Sequence, residues 1–311
     1  MPSYVIRLLL LSSASYFLVQ MLASVFVAWI APAAIRRAPA MEPRRAAHFL
    51  FALRILPATL SAIVVAVLCV PSYLRFEPRA AEEEIGVACL AAAILGFAAF
   101  AFAIYRALSA LIRSALYVRK WSTGTARFEN ETLWVVNSGS ALALAGILRP
   151  RLLISERAMR DLSKDQLAAA LRHEHAHRMA FDNLKRLMIQ LAPPFLPRMR
   201  SLERAWTKAA EWAADDRAAQ GEDDRSQLAS ALVRVARLQS GMPVPALVTL
   251  LVDAEEDLSL RVDRLLIAAP QPERAFYSAS IALAAGSLIA AVALSPSALR
   301  FVHQLLEHLL D

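Results

Sequence analysis

The chain has 311 residues, 58% of them hydrophobic, with a mean hydropathy of +0.44 and a formal charge of +7. Such apolarity excludes an ordinary soluble domain and predicts insertion into a lipid bilayer, where a modest basic excess reports orientation rather than direct nucleic-acid binding. The two cysteines, Cys69 and Cys89, lie in apolar runs, so a disulfide framework is excluded and any metal ligation falls to histidine and carboxylate.

Residues 8–30 are apolar apart from small polar residues and Gln20, long enough to cross a bilayer and longer than the apolar core of a signal peptide. They predict a first transmembrane helix. Residues 31–48 carry Arg36, Arg37, Arg44 and Arg45 against Glu42 alone, which places this loop in the cytoplasm and the N-terminus outside; His48 reads as a solvated surface residue. Residues 55–74 form the second span, with Pro57 near its start and Arg54 able to reach the interface. The connection 75–84 holds four glutamates, Glu77, Glu82, Glu83 and Glu84, against Arg75 and Arg79, and is assigned outside. Residues 85–105 are uncharged and make the third span, emerging toward Arg106, Arg113, Arg119 and Lys120 on the cytoplasmic side.

The character then changes. Within 132–155, the runs 133–136, 141–146 and 151–155 are strand-like and separated by Asn137-Ser138-Gly139 and Pro150, which predicts a small antiparallel sheet. Ser163 with Gln166 has the form of a capping box, Asp165 falls in the first turn, and no proline follows until Pro193, so a helix is expected from about 163. That helix carries His173, Glu174 and His177 as H-E-x-x-H. Histidines four apart share a helix face and can present two imidazoles to one ion, while the adjacent carboxylate is placed as a general base toward water. His175 projects roughly opposite the pair and is assigned a structural or solvated role. Residues 187–196, apolar with Pro193 and Pro194, are too short for a span and are expected to dip into the interface or cover the site.

A second helical run, 201–219, has no proline or glycine and contains Glu211, 34 residues after His177, far enough for a second helix to return beside the first. Glu211 completes a three-ligand set of the catalytic zinc type. Asp215, four residues on, shares its face and can orient a ligating histidine from behind. Residues 222–276 read as mostly helical with a break at 241–245; Arg261 is a candidate for docking onto the metal-site carboxylates, and Asp263 and Arg264 default to a solvated face. Residues 277–299 predict a fourth span that returns the chain outside, and His303 and His308 on the short tail are non-ligands.

H-E-x-x-H followed by Glu211-Trp212-Ala213-Ala214-Asp215 resembles the gluzincin membrane metallopeptidases. Asp182 and Asn183 soon after the second histidine make the chain similar to the BlaR/MecR-type family, the antirepressor peptidases of beta-lactam-sensing signal transducers; the HtpX and CAAX prenyl protease types carry nearly the same motif pair. The resemblance covers residues 120–270 by motif order. It implies that the sheet borders the active-site cleft, where an edge strand can bind an extended peptide, and that Arg261 ends the peptidase domain. The chain departs from the signal transducers in lacking an S-x-x-K plus K-T-G set after the last expected span, so no beta-lactam-binding domain is expected here.

The expected architecture is a mainly α integral membrane protein with three transmembrane helices in 1–117, a cytoplasmic α+β zincin-type peptidase domain in 118–276, and a fourth span with a short outer tail in 277–311. The expected activity is that of a multi-pass bacterial inner-membrane zinc metalloendopeptidase. Its zinc ligands are His173, His177 and Glu211, its base is Glu174, and its substrate is a cytoplasmic or membrane-proximal protein such as a transcriptional repressor in signal transduction. The alternatives are an HtpX-like quality-control protease and a non-catalytic membrane receptor or scaffold that retains the motif.

Overall fold

A computed structural model describes residues 4–77, 86–128, 131–136, 142–147, 150–238, 247–250, 255–267 and 295–310. Helix α1 (Tyr4–Arg37) is followed by α2 (Pro43–Val64), which runs through a π-helical turn (Val65–Cys69) into α3 (Val70–Phe76), and then by α4 (Val87–Trp121). Tyr4–Ala40, Pro43–Phe76 and Val87–Lys120 are long and apolar enough to cross a membrane. The expected runs 8–30, 55–74 and, from Val87 onward, 85–105 thus fall on three helices that are longer than the apolar runs themselves. Helices of 34 residues reach about 50 Å at 1.5 Å per residue, against about 30 Å of hydrocarbon. Their surplus turns are free to pack on the helices further along the chain.

Within the helical layer, α1 lies close against α4. A Cβ on Gly96 would collide with the Ser13 carbonyl, and the Ser13 hydroxyl donates to Ala93 O at 2.8 Å. The buried Ser61 hydroxyl of α2 donates to Gln20 Oε1 of α1 at 3.2 Å, a polar contact between these two apolar helices.

The sheet is mixed rather than antiparallel. Its strands are β1 (Ser122–Phe128), β2 (Glu131–Val136), β3 (Leu142–Ala145), β4 (Arg151–Ser155) and β5 (Val248–Leu250), in the order β1-β2-β4-β3-β5. β4 returns from β3 and inserts beside β2, so β2 and β4 run parallel while the other pairs are antiparallel. The reason is legible in burial. All four residues of β3, and all of β4 but Arg151, are buried, which fits central strands covered on both faces rather than the alternation of a half-exposed hairpin. One face packs Leu133, Leu142, Leu144 and Ile154 against helices from later in the chain, and the other sets Val136, Ala143 and Leu153 against Tyr117 of α4.

After the sheet come α5 (Glu156–Asp161), α6 (Lys164–Met179), α7 (Asp182–Leu191), α8 (Pro197–Ala218), α9 (Glu222–Leu238), α10 (Glu255–Ile267) and α11 (Pro296–Leu310). One apolar core is shared: Val27, Ala31 and Leu50 of α1 and α2 pack with Ile189, Met199, Leu202 and Trp206 of α7 and α8. Most of the expected fourth span, 277–294, and the break at 241–245 lie outside the described residues. Leu299, its expected last residue, belongs to α11, whose start at Pro296 follows from proline's fitness for a first helical turn. The expected tail is therefore helical, and Ser72 of α3 donates to Leu299 O at 2.7 Å.

Candidate metal centre

Helix α6 begins where the sequence predicts. The Ser163 hydroxyl accepts from Gln166 N at 3.2 Å, and Ser163 N donates to the Gln166 side chain at 3.1 Å, a complete capping box. Its inner face carries Leu167, Ala170 and Leu171 into the core shared with the sheet and α9, which fixes the rotation that aims His173, Glu174 and His177 inward. All three are 0–1% exposed.

Helix α8 returns beside α6 and supplies Glu211. Nε2 of His173 lies 3.1 Å from Nε2 of His177, 3.4 Å from Glu211 Oε2, and His177 Nε2 is 3.5 Å from Glu211 Oε1. These three residues form a group able to hold a metal ion. Ligands at about 2.05 Å from a tetrahedral ion stand about 3.3 Å from one another. The observed triangle has that size, and its donor set of two imidazoles and one carboxylate is that of a divalent ion with an open position.

Both imidazoles are braced from behind. Asp215 Oδ1 lies 2.9 Å from His173 Nδ1, and Asp182 Oδ2 lies 2.7 Å from His177 Nδ1, so each ring is held with Nε2 facing the triangle. Asp182 in turn pairs with Lys185 at 3.0 Å. Arg261 of α10 donates to Asp215 through Nε (2.8 Å) and Nη2 (2.7 Å) and reaches Glu211 Oε2 at 3.2 Å, so the docking expected for Arg261 is present. Arg264, expected on a solvated face, instead pairs with Asp216 at 2.6 Å and lies over the Trp212 ring, because α10 packs along α8.

The charge balance follows from this crowding. Burial alone would push the Glu211 carboxyl up and the His177 imidazole down. Instead the His177 and Arg261 charges hold Glu211 well below its ordinary value, and the carboxylates of Glu211 and Asp182 lift His177 to about 10. Burial is likewise overcome at Asp215, which the Arg261 guanidinium holds at about 2. Glu174 behaves differently. Burial raises it to about 7, and both its oxygens are buried without a hydrogen-bond partner among the described residues. It stands beside the triangle as a carboxyl poised to exchange a proton near neutral pH.

The structure therefore brings His173, Glu174, His177, Glu211 and Asp215 together and leaves His175 half-buried outside the group. Sequence reasoning from residue chemistry did not assign Asp182 or Lys185 a place here; Asp182 entered only through the motif resemblance, as an acid five residues beyond His177 and past the helix end. Asn183 has a distinct job: its Nδ2 donates to the carbonyls of Leu144 (3.3 Å) and Gly146 (2.7 Å), tying α7 to the end of β3. A cavity of about 450 Å3 lined by Ala176, Ala180, Ala210, Ala214 and Asp182 lies against α6 and α8, without including His173, Glu174, His177 or Glu211. No protein-family model matches the chain, and no curated protein matches it.

Proposed function

We propose that the chain is a membrane-embedded zinc metalloendopeptidase that hydrolyses a peptide bond in a cytoplasmic or membrane-proximal protein. The observation that carries this reading is a ligand triangle of tetrahedral size with an unpaired, buried Glu174 beside it. His173, His177 and Glu211 would hold the ion. When bound, it supplies Lewis acidity to water and to the scissile carbonyl oxygen. Glu174 accepts the proton of the attacking water on its carboxylate and returns it to the leaving amine nitrogen, a role suited to a carboxyl whose pKa lies near 7. Asp182 and Asp215 keep the two imidazoles oriented, and Arg261 keeps the Glu211 carboxylate ionised. Placement of the site at the cytoplasmic leaflet of a bacterial inner membrane is supported by the basic residues that flank α1, α2 and α4 on that side. A transcriptional repressor in regulatory signalling is the substrate class that the motif resemblance favours.

The test compares cells carrying the native chain with cells carrying Glu174→Gln, by proteomics of cleavage fragments, together with metal analysis of both purified proteins. The variant should retain its metal and lose cleavage by about 10²–10⁴-fold. One fragment from one soluble protein would favour signalling, and many membrane-protein fragments would favour quality control. An identical fragment profile in the two strains under inducing conditions would sink the enzymatic reading and leave a receptor or scaffold.

A further inference from the structure

A second cavity, of about 730 Å3, opens between α4 and the loop leading into α8; its walls include Phe102, Arg106, Pro194, Arg200, Glu203 and Arg204. Arg106 is the first charged residue of α4, 19 residues after Val87. At 1.5 Å per residue it stands about 28 Å along the helix, close to the hydrocarbon thickness of a bilayer. Arg54, likewise, immediately precedes the uncharged stretch of α2 and α3. The cavity thus sits where the apolar surfaces of two spanning helices end, at the level of lipid headgroups.

Its electrostatics are one-sided. Three arginines line it against a single acid, Glu203, which Arg54 already engages at 3.6 Å while donating to Ala192 O at 2.7 Å. Nη1 of Arg106 is buried and has no hydrogen-bond partner among the described residues, whereas Arg200 and Arg204 are exposed at the mouth. Guanidinium groups match phosphate oxygens in geometry and tolerate partial desolvation better than ammonium groups. Phe102 and the prolines supply an apolar wall, and Leu95, exposed two turns back on the same face as Phe102, continues it along α4. A free phosphate would find no use for that wall, but an acyl chain would.

We propose that this cavity binds the phosphodiester headgroup of an anionic phospholipid, with Arg106, Arg200 and Arg204 on the phosphate and an acyl chain along the face of α4 that carries Phe102 and Leu95. Bound there, the lipid seats the start of α8, the helix that delivers Glu211, against the bilayer surface. The proposal concerns lipid binding and stands whether or not the metal centre cleaves peptides.

The experiment uses the full chain in nanodiscs of phosphatidylcholine with or without phosphatidylglycerol, and counts retained lipid by native mass spectrometry. The native chain should retain phosphatidylglycerol selectively. The double variant Arg200→Gln/Arg204→Gln removes two exposed charges and should lower that retention about 25-fold, at roughly a factor of five per arginine. Arg36→Gln/Arg37→Gln, which removes two exposed arginines at the end of α1, should leave it unchanged. Undiminished retention in the Arg200/Arg204 variant, or equal losses in both doubles, would overturn the site in favour of diffuse surface charge. Displacement of the lipid by inorganic phosphate would also overturn it, by assigning the cavity to a soluble anion.

Discussion

His173 and His177 can converge through Nε2 because a carboxylate holds each Nδ1 from the other side, Asp215 on one ring and Asp182 on its neighbour. Removing either charge while keeping side-chain shape, in Asp182→Asn or Asp215→Asn, should weaken metal affinity by about 10–100-fold in a chelator competition, with the fold retained by circular dichroism. Asp215→Asn should be the worse of the two, since it also strips Arg261 of a bidentate partner and leaves a buried guanidinium with Glu211 alone. The carboxylates of Glu211 and Asp182 make the ion-free protein sensitive to pH. The His177 imidazole is lifted to about 10 from an ordinary 6.5, so its bound proton stabilises the folded state fully below pH 6.5, and that contribution is lost as pH rises through 10. In chelator, the thermal midpoint should therefore fall across that window. With metal bound the proton is already displaced, and the fall should vanish. A midpoint in chelator that is flat from pH 6.5 to 10 would show that the imidazole carries no such proton.

At the scale of elements, the junction of α6 and α7 decides whether Asp182 can reach back to His177. Only Ala180 and Phe181 separate the helices, and Phe181 makes the reversal with φ 56°, the one positive φ at a non-glycine among the described residues. Its ring is 65% exposed, so the conformation is imposed by the turn and not by burial of the side chain. Phe181→Pro cannot adopt that φ and also removes the N–H that donates to Arg178 O at 3.2 Å; it should abolish metal binding. Phe181→Gly accepts the same φ and should bind metal as the native chain does, read by metal content after purification. This turn also marks where the sequence stopped being legible. The capping box, the H-E-x-x-H face and the Glu211–Asp215 pair depend on spacings within a helix, and those spacings are written in adjacent residues. The strand order is not: nothing in 133–136, 141–146 and 151–155 says that β4 will insert beside β2, since that choice depends on helices covering both faces of β3 and β4. β1 was missed because Ser122-Thr-Gly-Thr-Ala126 has neither the alternation nor the apolar content of a strand and owes its pairing to β2.

Taken whole, the molecule does not separate into a layer of long apolar helices and a part carrying the sheet and the metal-binding group that merely touch. The surplus turns of α1 and α2 share one apolar core with α7 and α8, and Arg54 crosses between them to Ala192 O and Glu203. A fragment restricted to 118–276 would expose Ile189, Met199, Leu202 and Trp206 to water, a patch that predicts aggregation rather than an active soluble domain. Hydropathy reveals the spans, but it does not reveal that their ends are structural walls of the site, because the pairing of Val27 and Leu50 with α8 is a long-range contact between two separately unremarkable apolar runs. Trp206 tests this coupling. It is 1% exposed, packs on Phe51 of α2 at 6.0 Å between ring centroids, and lies under Arg186, whose guanidinium reaches toward Glu211 at 3.9 Å. Trp206→Ala opens a cavity at the seam and should cost about 3–5 kcal/mol, read as a lower thermal midpoint of the full chain in detergent. Because α8 carries both Trp206 and Glu211, the loss should also appear as weaker metal retention, and excess metal should recover part of the midpoint by mass action. A variant that melts early yet holds its metal as tightly as the native chain would show that the seam stabilises the fold without positioning the third ligand.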